Sequence, residues 1–331
     1  MQPTTPASPI AVRAFDPARA QLEDYLDTTV FPARLEVSRS MPLQEALDSH
    51  VVTEDTRLFT FEYQETLYAF PMRVVLAYNV MQGQLEDRQP WLLTFCNACN
   101  TGTVFDPVVD GQLLHFKRRG AFDGMLLVWD EETGTYWQHI TGEGLYGAKR
   151  GSILRTIAHT RTMSAGEAIK RSNTALYTST LNDMQTKLAS FAEKMRDDPS
   201  RVAGTILTTV EKDDDRRPRF ELGLGIWNGN KSQFYPLIML YDHNNAWFST
   251  FNGQRTLVYQ APEAVSPVAV YTNADSARWE GDTLRFSDGT HLKDDALYSA
   301  DGEKLTLTRP SQLLMRWYGF ALTFPGTDVA K

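Results

Sequence analysis

Cys96 and Cys99 are the only cysteines in this chain of 331 residues, and their C-x-x-C spacing brings two sulfurs within reach of each other or of one ion. In Phe95-Cys96-Asn97-Ala98-Cys99-Asn100-Thr101-Gly102 the first cysteine ends a strand-forming run, and the rest reads as a tight polar turn. Three chemistries use such a pair. A thiol oxidoreductase sets it at a helix N-terminus, where the dipole lowers the thiol pKa; here Thr103-Val104 continues as turn and strand, which argues against that use. A metal knuckle holds an ion between two thiolates on a turn, with Asn or Gly tolerated after the second cysteine because backbone NH groups point at sulfur. A local disulfide, or two buried thiols pinning the turn, needs the same spacing and no ion.

A closed zinc site requires two more ligands, and the chain has no second C-x-x-C. Histidine would supply them, from His115, His139 or His159, whereas copper(I) is satisfied by fewer ligands. The six histidines show neither H-x-x-x-H nor H-E-x-x-H spacing, and a lone histidine is more often structural than a ligand. His139 follows Trp137-Gln138 on a candidate strand and is the preferred third ligand. The expected site thus has Cys96, Cys99 and His139 as metal ligands, with Asp130, Trp137 and Gln138 lining the place where copper, zinc or a small molecule binds.

Other motifs dissolve in their context. Gly142-Glu143-Gly144-Leu145-Tyr146-Gly147 satisfies G-x-G-x-x-G, but a dinucleotide loop must open a helix, and Ile153 to Ile157 reads as strand; no nucleotide cofactor is expected. Asp130-Glu131-Glu132-Thr133-Gly134, with Trp129 and Trp137 as sugar platforms, suggests paired carboxylates for glycoside cleavage, yet a hairpin turn explains the run better. Lys117-Arg118-Arg119-Gly120 reads as a solvated strand end rather than an anion clamp. No G-x-S-x-G elbow or Walker loop is present.

The elements that position these residues are mostly strands. With 42% hydrophobic and 22% charged residues the chain can bury an ordinary core, and its length suits two domains or one large one. A net charge of -8 opposes binding to phosphate backbones, so nucleic acid is not an expected partner, and the sequence names no protein partner. No apolar run is long enough to span a bilayer, so the chain is expected to be soluble. The Pro- and Thr-rich start, Pro3 to Pro9, reads as a tail of the kind left where a leader or anchor is trimmed, which leaves the compartment open. Residues 1–50 form this tail and a helical lead-in, with helices expected over Asp16–Leu35 and from Pro42 to Ala46. Residues 51–162 form a first β unit carrying the cysteines. Ser164 and Glu167 make a capping box for one long amphipathic helix (Leu176, Leu181, Met184, Leu188, Phe191, Met195) that runs to Asp197 within a 163–218 helix and linker. Residues 219–331 form a second β unit without cysteines. The two units echo each other: Phe70-Pro71-Met72 with Tyr235-Pro236-Leu237, Leu92 to Phe95 with Thr256 to Tyr259, and Leu113 to Phe116 with Thr283 to Phe286. The expected fold is therefore α+β, predominantly β, with two related, duplicated β units, a helical lead-in and a long connecting helix.

In their order these features resemble the domain of unknown function 3179 family of bacterial and archaeal proteins. The matching segments are Tyr68-Ala69-Phe70-Pro71-Met72-Arg73, Cys96 to Thr103, Asp130 to Gln138, the spaced Gly142, Gly147 and Gly151, and the closing Trp317-Tyr318-Gly319-Phe320 with Phe324-Pro325-Gly326-Thr327. The resemblance covers about Leu58 to Val329, with the middle helix fitting less well. One departure stands out: where the family carries a histidine after its Pro-Leu-Arg segment, this chain has Tyr78-Asn79, which weakens a metal role here. The resemblance implies export or anchoring at the cell envelope and supplies no reaction, which leaves three readings open. They are a metal-binding or redox-active protein, a non-catalytic binding or scaffold module whose cysteines brace a turn, and an enzyme with a cleft between the β units.

Overall fold

The computed structural model describes residues 15–22, 34–37, 39–171, 173–202 and 204–331. Its strands fall into seven sheets, and the protein is predominantly β. The first half opens on the hairpin of Arg57–Tyr63 and Thr66–Pro71, whose strands are buried on both faces. Pro71 ends this ladder because it has no N–H to donate, and its fixed φ starts the Met72–Tyr78 helix at once. That helix ends on Asn79 in the left-handed region (φ 63°), a conformation Asn tolerates better than most residues. The antiparallel strands Val80–Gln84, Pro90–Cys96 and Thr101–Asp106 follow. Next come the hairpin of Phe116–Phe122 and Met125–Asp130, turning on Asp123-Gly124 with both φ positive, and the short strands Tyr136–Gln138 and Gly144–Tyr146.

The second half runs through the same kinds of element in the same order. Leu222–Asn228 and Lys231–Pro236 form a hairpin, Pro236 opens the Leu237–Asp242 helix, and Ala246–Phe251, Gln254–Tyr259 and Val268–Tyr271 form an antiparallel meander. A five-stranded sheet from Ala277–Glu280 to Lys304–Leu305 comes next, and Ser311–Arg316 returns to pair with Leu222–Asn228.

Three expectations need correction. The single helix from Ser164 to Asp197 is two helices with a strand between them. Ser164 does cap a helix, accepting the Glu167 N–H, but that helix spans only Ala165–Ala168. Thr174–Leu176 then forms a strand, parallel to Thr66–Pro71 and antiparallel to Met41–Pro42, and the long helix starts afresh at Asp183–Asp197 with Asn182 and Gln185 as its capping box. An open sheet edge outweighed helical periodicity there. The buried face of the long helix also differs: Gln185, Ala189, Ala192 and Met195 are buried, whereas Met184 and Phe191 are exposed. In the lead-in, Leu43–Asp48 is helical as expected, but Pro17–Arg19 is one 3-10 turn and Gln21–Leu22 a strand; the rest of the expected Asp16–Leu35 helix, from 23 to 33, lies outside the described residues, as does the Pro3–Pro9 tail. The stretch expected as the second β unit ends instead in a helix, Trp317–Thr323, with every residue buried. A helix buried on all sides shows no polar face and so no 3.6-residue signal.

That last helix positions the candidate site. Trp317, Tyr318, Phe320, Leu322 and Phe324 pack into one buried cluster with Cys96, Ala98, Cys99 and Met125, so the C-terminal segment closes over the cysteine turn of the first half. At ~1.5–3 kcal/mol for each large apolar side chain fully buried, this contact is a main reason the turn is held away from water.

Candidate metal and redox centre

Cys96 is the last residue of the Pro90–Cys96 strand, and Asn97 to Asn100 form the connection to Thr101–Asp106. Asn100 takes a positive φ of 57°, and the Cys99 N–H donates to Cys96 Sγ at 3.2 Å, which folds the second sulfur back toward the first. The two are joined as a disulfide with Cα atoms 5.5 Å apart, and both residues are buried. His139 approaches from the segment after Tyr136–Gln138, its Nε2 3.5 Å from Cys99 Sγ, and the three possible ligand atoms lie within 4.8 Å of one another. No second group of this kind occurs among the described residues. Burial pushes the His139 pKa down to about 3, so the ring is neutral and keeps a lone pair. Its Nδ1 has no hydrogen-bond partner, while its backbone carbonyl accepts from Thr94 Oγ1 at 3.0 Å.

Two side chains hold the turn from outside. Asn79 donates through Nδ2 to the Phe95 carbonyl (3.0 Å) and to Asn97 Oδ1 (2.9 Å), and Asn97 in turn donates to the Leu76 carbonyl. Asn79, which closes the Met72–Tyr78 helix, thus touches the cysteine turn itself. Arg316, fully buried, donates to the carbonyls of Ala98 (2.7 Å), Met195 (2.9 Å) and Arg196 (3.1 Å), and its own N–H donates to the Cys99 carbonyl. Its partners are carbonyls, with Phe220 stacked 5.5 Å from the guanidinium, and no carboxylate among the described residues pairs with it.

Of the expected lining residues, Gln138 is the one tied to this cluster. Its Oε1 accepts from the backbone of Ile140 and Thr141, and its Nε2 donates to Thr323 Oγ1 at 3.3 Å beside Met125 Sδ. Asp130 and Trp137 bind each other instead, Trp137 Nε1 to Asp130 Oδ2 at 2.8 Å, in a neighbouring core with Leu92, Phe105 and Phe116. Trp137 is fully buried and offers no sugar platform. Residues 131–135 form the hairpin turn expected of the acidic run. His115 pairs with Glu132 (2.6 Å), and neither His115 nor His159 joins the cysteines. After Gly142–Gly147 come turns and then Arg155–Ala158, not a helix. Asn79, Met125, Arg316 and Gly319 were not singled out from spacing; Arg316 and Gly319 flank or fall in the closing motif that the family resemblance flagged.

Gly319 is a glycine for lack of room. A Cβ there would meet Met315 Cε at 2.9 Å and Cys99 Cβ at 3.1 Å. Gly319→Ala gains helix propensity but wedges the C-terminal helix off the cysteine turn, so a net loss of about 1–2 kcal/mol is expected. Urea unfolding of the variant checks this; a gain in stability would mean that the turn yields freely.

A cleft of about 860 Å³ is bordered by Arg161, Glu167 and Arg171 on one side and by Tyr259, Trp279 and Asp295 on the other. At its base Asp295 receives Arg161, Arg171 (3.0 Å), Arg309 (3.4 Å) and the Tyr259 hydroxyl (2.7 Å).

No helix among the described residues is long and apolar enough to cross a membrane. No curated protein and no solved structure matches the chain. The family described as "Protein of unknown function (DUF3179)" matches residues 40–322, a span that begins before the cysteine-bearing half and ends inside the helix that covers its turn; the chain belongs to that family.

Proposed function

We propose that Cys96, Cys99 and His139 form a redox-gated metal centre. The observation that carries this reading is the neutral, buried His139 ring with Nε2 3.5 Å from Cys99 Sγ, a nitrogen and two sulfurs converging where water is excluded. In the oxidised state the sulfurs are bonded to each other and offer no thiolate. A dithiol reductant that delivers two electrons and two protons breaks the S–S bond and leaves two thiols; uptake of an ion then releases their protons, since only thiolates are ligands. Gln138 supports the wall next to His139, while Asp130 and Trp137 set the strand end from which His139 extends. A disulfide persists in oxidising compartments, which agrees with a place at the cell envelope.

The domain reading belongs to the same proposal. Residues 51–162 and 219–331 are related units, supported by the shared order of hairpin, Pro-initiated helix and three-strand meander, with 1–50 as lead-in and 163–218 as connection. The cysteine turn follows Phe95 in the first; Gln260-Ala261 follows Tyr259 in the second, beside the cleft.

A second reading has its own support: Asn79 and Arg316 bind the turn through its backbone and Asn97 side chain alone, which suits a disulfide that only braces. Metal analysis by mass spectrometry, with a free-thiol count under denaturation, separates the two. The protein as purified in air is expected to show no free thiol; reduced anaerobically, it should show two and bind one equivalent of copper or zinc. Cys96→Ser with Cys99→Ser should abolish that uptake. A reduced, folded wild type that binds no ion sinks the metal centre and leaves the brace.

A further inference from the structure

The buried cluster that holds the cysteine turn is rich in sulfur beyond the cysteines. Met125, Met195 and Met315 lie in the same buried cluster as Cys96 and Cys99. Met125 Sδ and Cys99 Cβ fall 3.7 Å and 3.1 Å from the point that a Cβ on Gly319 would occupy, so the thioether and the Cys99 side chain pack against the same glycine. Gln138 Nε2 and Thr323 Oγ1 border Met125 Sδ at 4.0 Å and 3.5 Å. Thiolate and thioether sulfur are soft donors that favour copper(I), while zinc sites draw on Cys, His and carboxylate.

Charge gives an independent argument. A guanidinium stays protonated in proteins, and a buried cation without a counter-ion is strongly unfavourable. Arg316 is buried with carbonyl partners only. Two of those carbonyls end the Asp183–Asp197 helix, whose dipole offsets part of the charge. The rest has no counter-charge among the described residues while the sulfurs are a neutral disulfide. Two thiolates around a divalent ion would be neutral as well. Around a monovalent ion they carry one net negative charge, which Arg316 balances from the Ala98 and Cys99 backbone.

We infer that the ion taken by the reduced site is copper(I), held by the Cys96 and Cys99 thiolates and the His139 imidazole. Met125 supplies a soft thioether contact and Arg316 the counter-charge; the inference rests on the metal-centre reading above. It makes Met125 a ligand and Arg316 a positioning and charge-balancing residue. It also makes metal choice a consequence of the net charge of the pocket as much as of its donors.

The test uses the full chain, reduced anaerobically with a phosphine, and titrated with copper(I) against a copper(I)-selective chelator and with zinc(II) against a zinc chelator. Wild type is expected to bind one copper(I). Met125→Leu, close in volume and therefore folded, should bind it at least on the order of tenfold more weakly, and X-ray absorption should show one sulfur fewer around the metal. Arg316→Gln should weaken copper(I) by about 10–100-fold and leave zinc(II) less affected. Copper(I) bound equally by wild type and Met125→Leu, or zinc(II) preferred by wild type, overturns this inference while leaving the dithiol and imidazole as a metal site. Failure of the reduced wild type to bind either ion overturns both. Should Arg316→Gln not fold, Met125→Leu and the wild-type metal preference decide the matter.

Discussion

Asp295→Asn is expected to destabilise the protein by about 3 kcal/mol. The carboxylate sits at the tip of the hairpin between His291–Lys293 and Ala296–Tyr298, with Asp294 and Asp295 both at positive φ. Asn tolerates that conformation and matches Asp in shape, so the substitution removes charge without adding backbone strain. What remains is Arg161, Arg171 and Arg309 facing one neutral amide, with the Tyr259 hydroxyl still able to donate to it. Arg161 keeps Glu167 at 2.9 Å, but Arg171 and Arg309 lose their charged partner. Removing one member of a buried ion network costs ~3–5 kcal/mol, and the low end applies because these side chains retain 11–21% exposure. Arg161 and Arg171 precede the Asp183–Asp197 helix in the chain, and Tyr259, Asp295 and Arg309 follow it. The loss should therefore loosen contacts between segments distant in sequence and lower the urea midpoint.

The pH dependence of that loss follows from the direction of the Asp295 pKa. Burial raises it, and the attraction of Arg161, Arg309 and Arg171, with the Tyr259 hydrogen bond, more than reverses this and holds it far below the ordinary carboxylate range. A depressed folded pKa contributes stability that is fully present above the unfolded value, ~3.9, and is lost as pH falls through the folded value. The stability gap between wild type and Asp295→Asn should accordingly be flat from about pH 5 to 8 and narrow below about pH 4. Urea titrations at a series of pH values measure it; a gap that closes between pH 7 and 5 would mean that the three arginines do not set the charge of Asp295.

How much of this was legible before the structure depends on which signal each element emits. Strands with turn residues at their ends were readable: Arg57–Tyr63, Pro90–Cys96 and Met125–Asp130 all fall where β-branched and aromatic runs meet Gly, Asp or Asn. The Met72–Tyr78 and Trp317–Thr323 helices were not, since every residue but Arg73 is buried and no polar face marks a period. The Thr174–Leu176 strand was lost because its partners, Thr66–Pro71 and Met41–Pro42, are distant in sequence and only tertiary contact makes it extended. At the site, the cysteines announced themselves by spacing, and His139 by its place after a strand. Arg316 is 217 positions beyond Cys99, so neither spacing nor periodicity could join them; only the fold does. Asp130 and Trp137 were expected to line the site with Gln138, but sequence could not say whether they face a ligand or, as the structure has them, each other.

Asp130→Ala tests that last point and should lower stability by about 4 kcal/mol without changing metal stoichiometry. The Asp130 carboxylate is fully buried and accepts four hydrogen bonds: the Thr133 N–H (2.6 Å), the Thr133 hydroxyl (2.7 Å), the Thr135 N–H (3.1 Å) and Trp137 Nε1 (2.8 Å). These bonds close the turn between Met125–Asp130 and Tyr136–Gln138 and tie the buried indole to it. Truncation strands the buried Thr135 N–H and Trp137 Nε1 at ~1–3 kcal/mol each, while the part-buried Thr133 donors can turn to water and recover part of the loss. His139 lies one residue beyond the Tyr136–Gln138 strand, so a loosened turn transmits to its ring as a change in position rather than the loss of a ligand. Metal affinity of the reduced Asp130→Ala protein should then fall modestly while one equivalent still binds. Complete loss of binding in a variant that remains folded would instead place the carboxylate at the ion, and the hydrogen bonds of the turn would be the minor part of what Asp130 does.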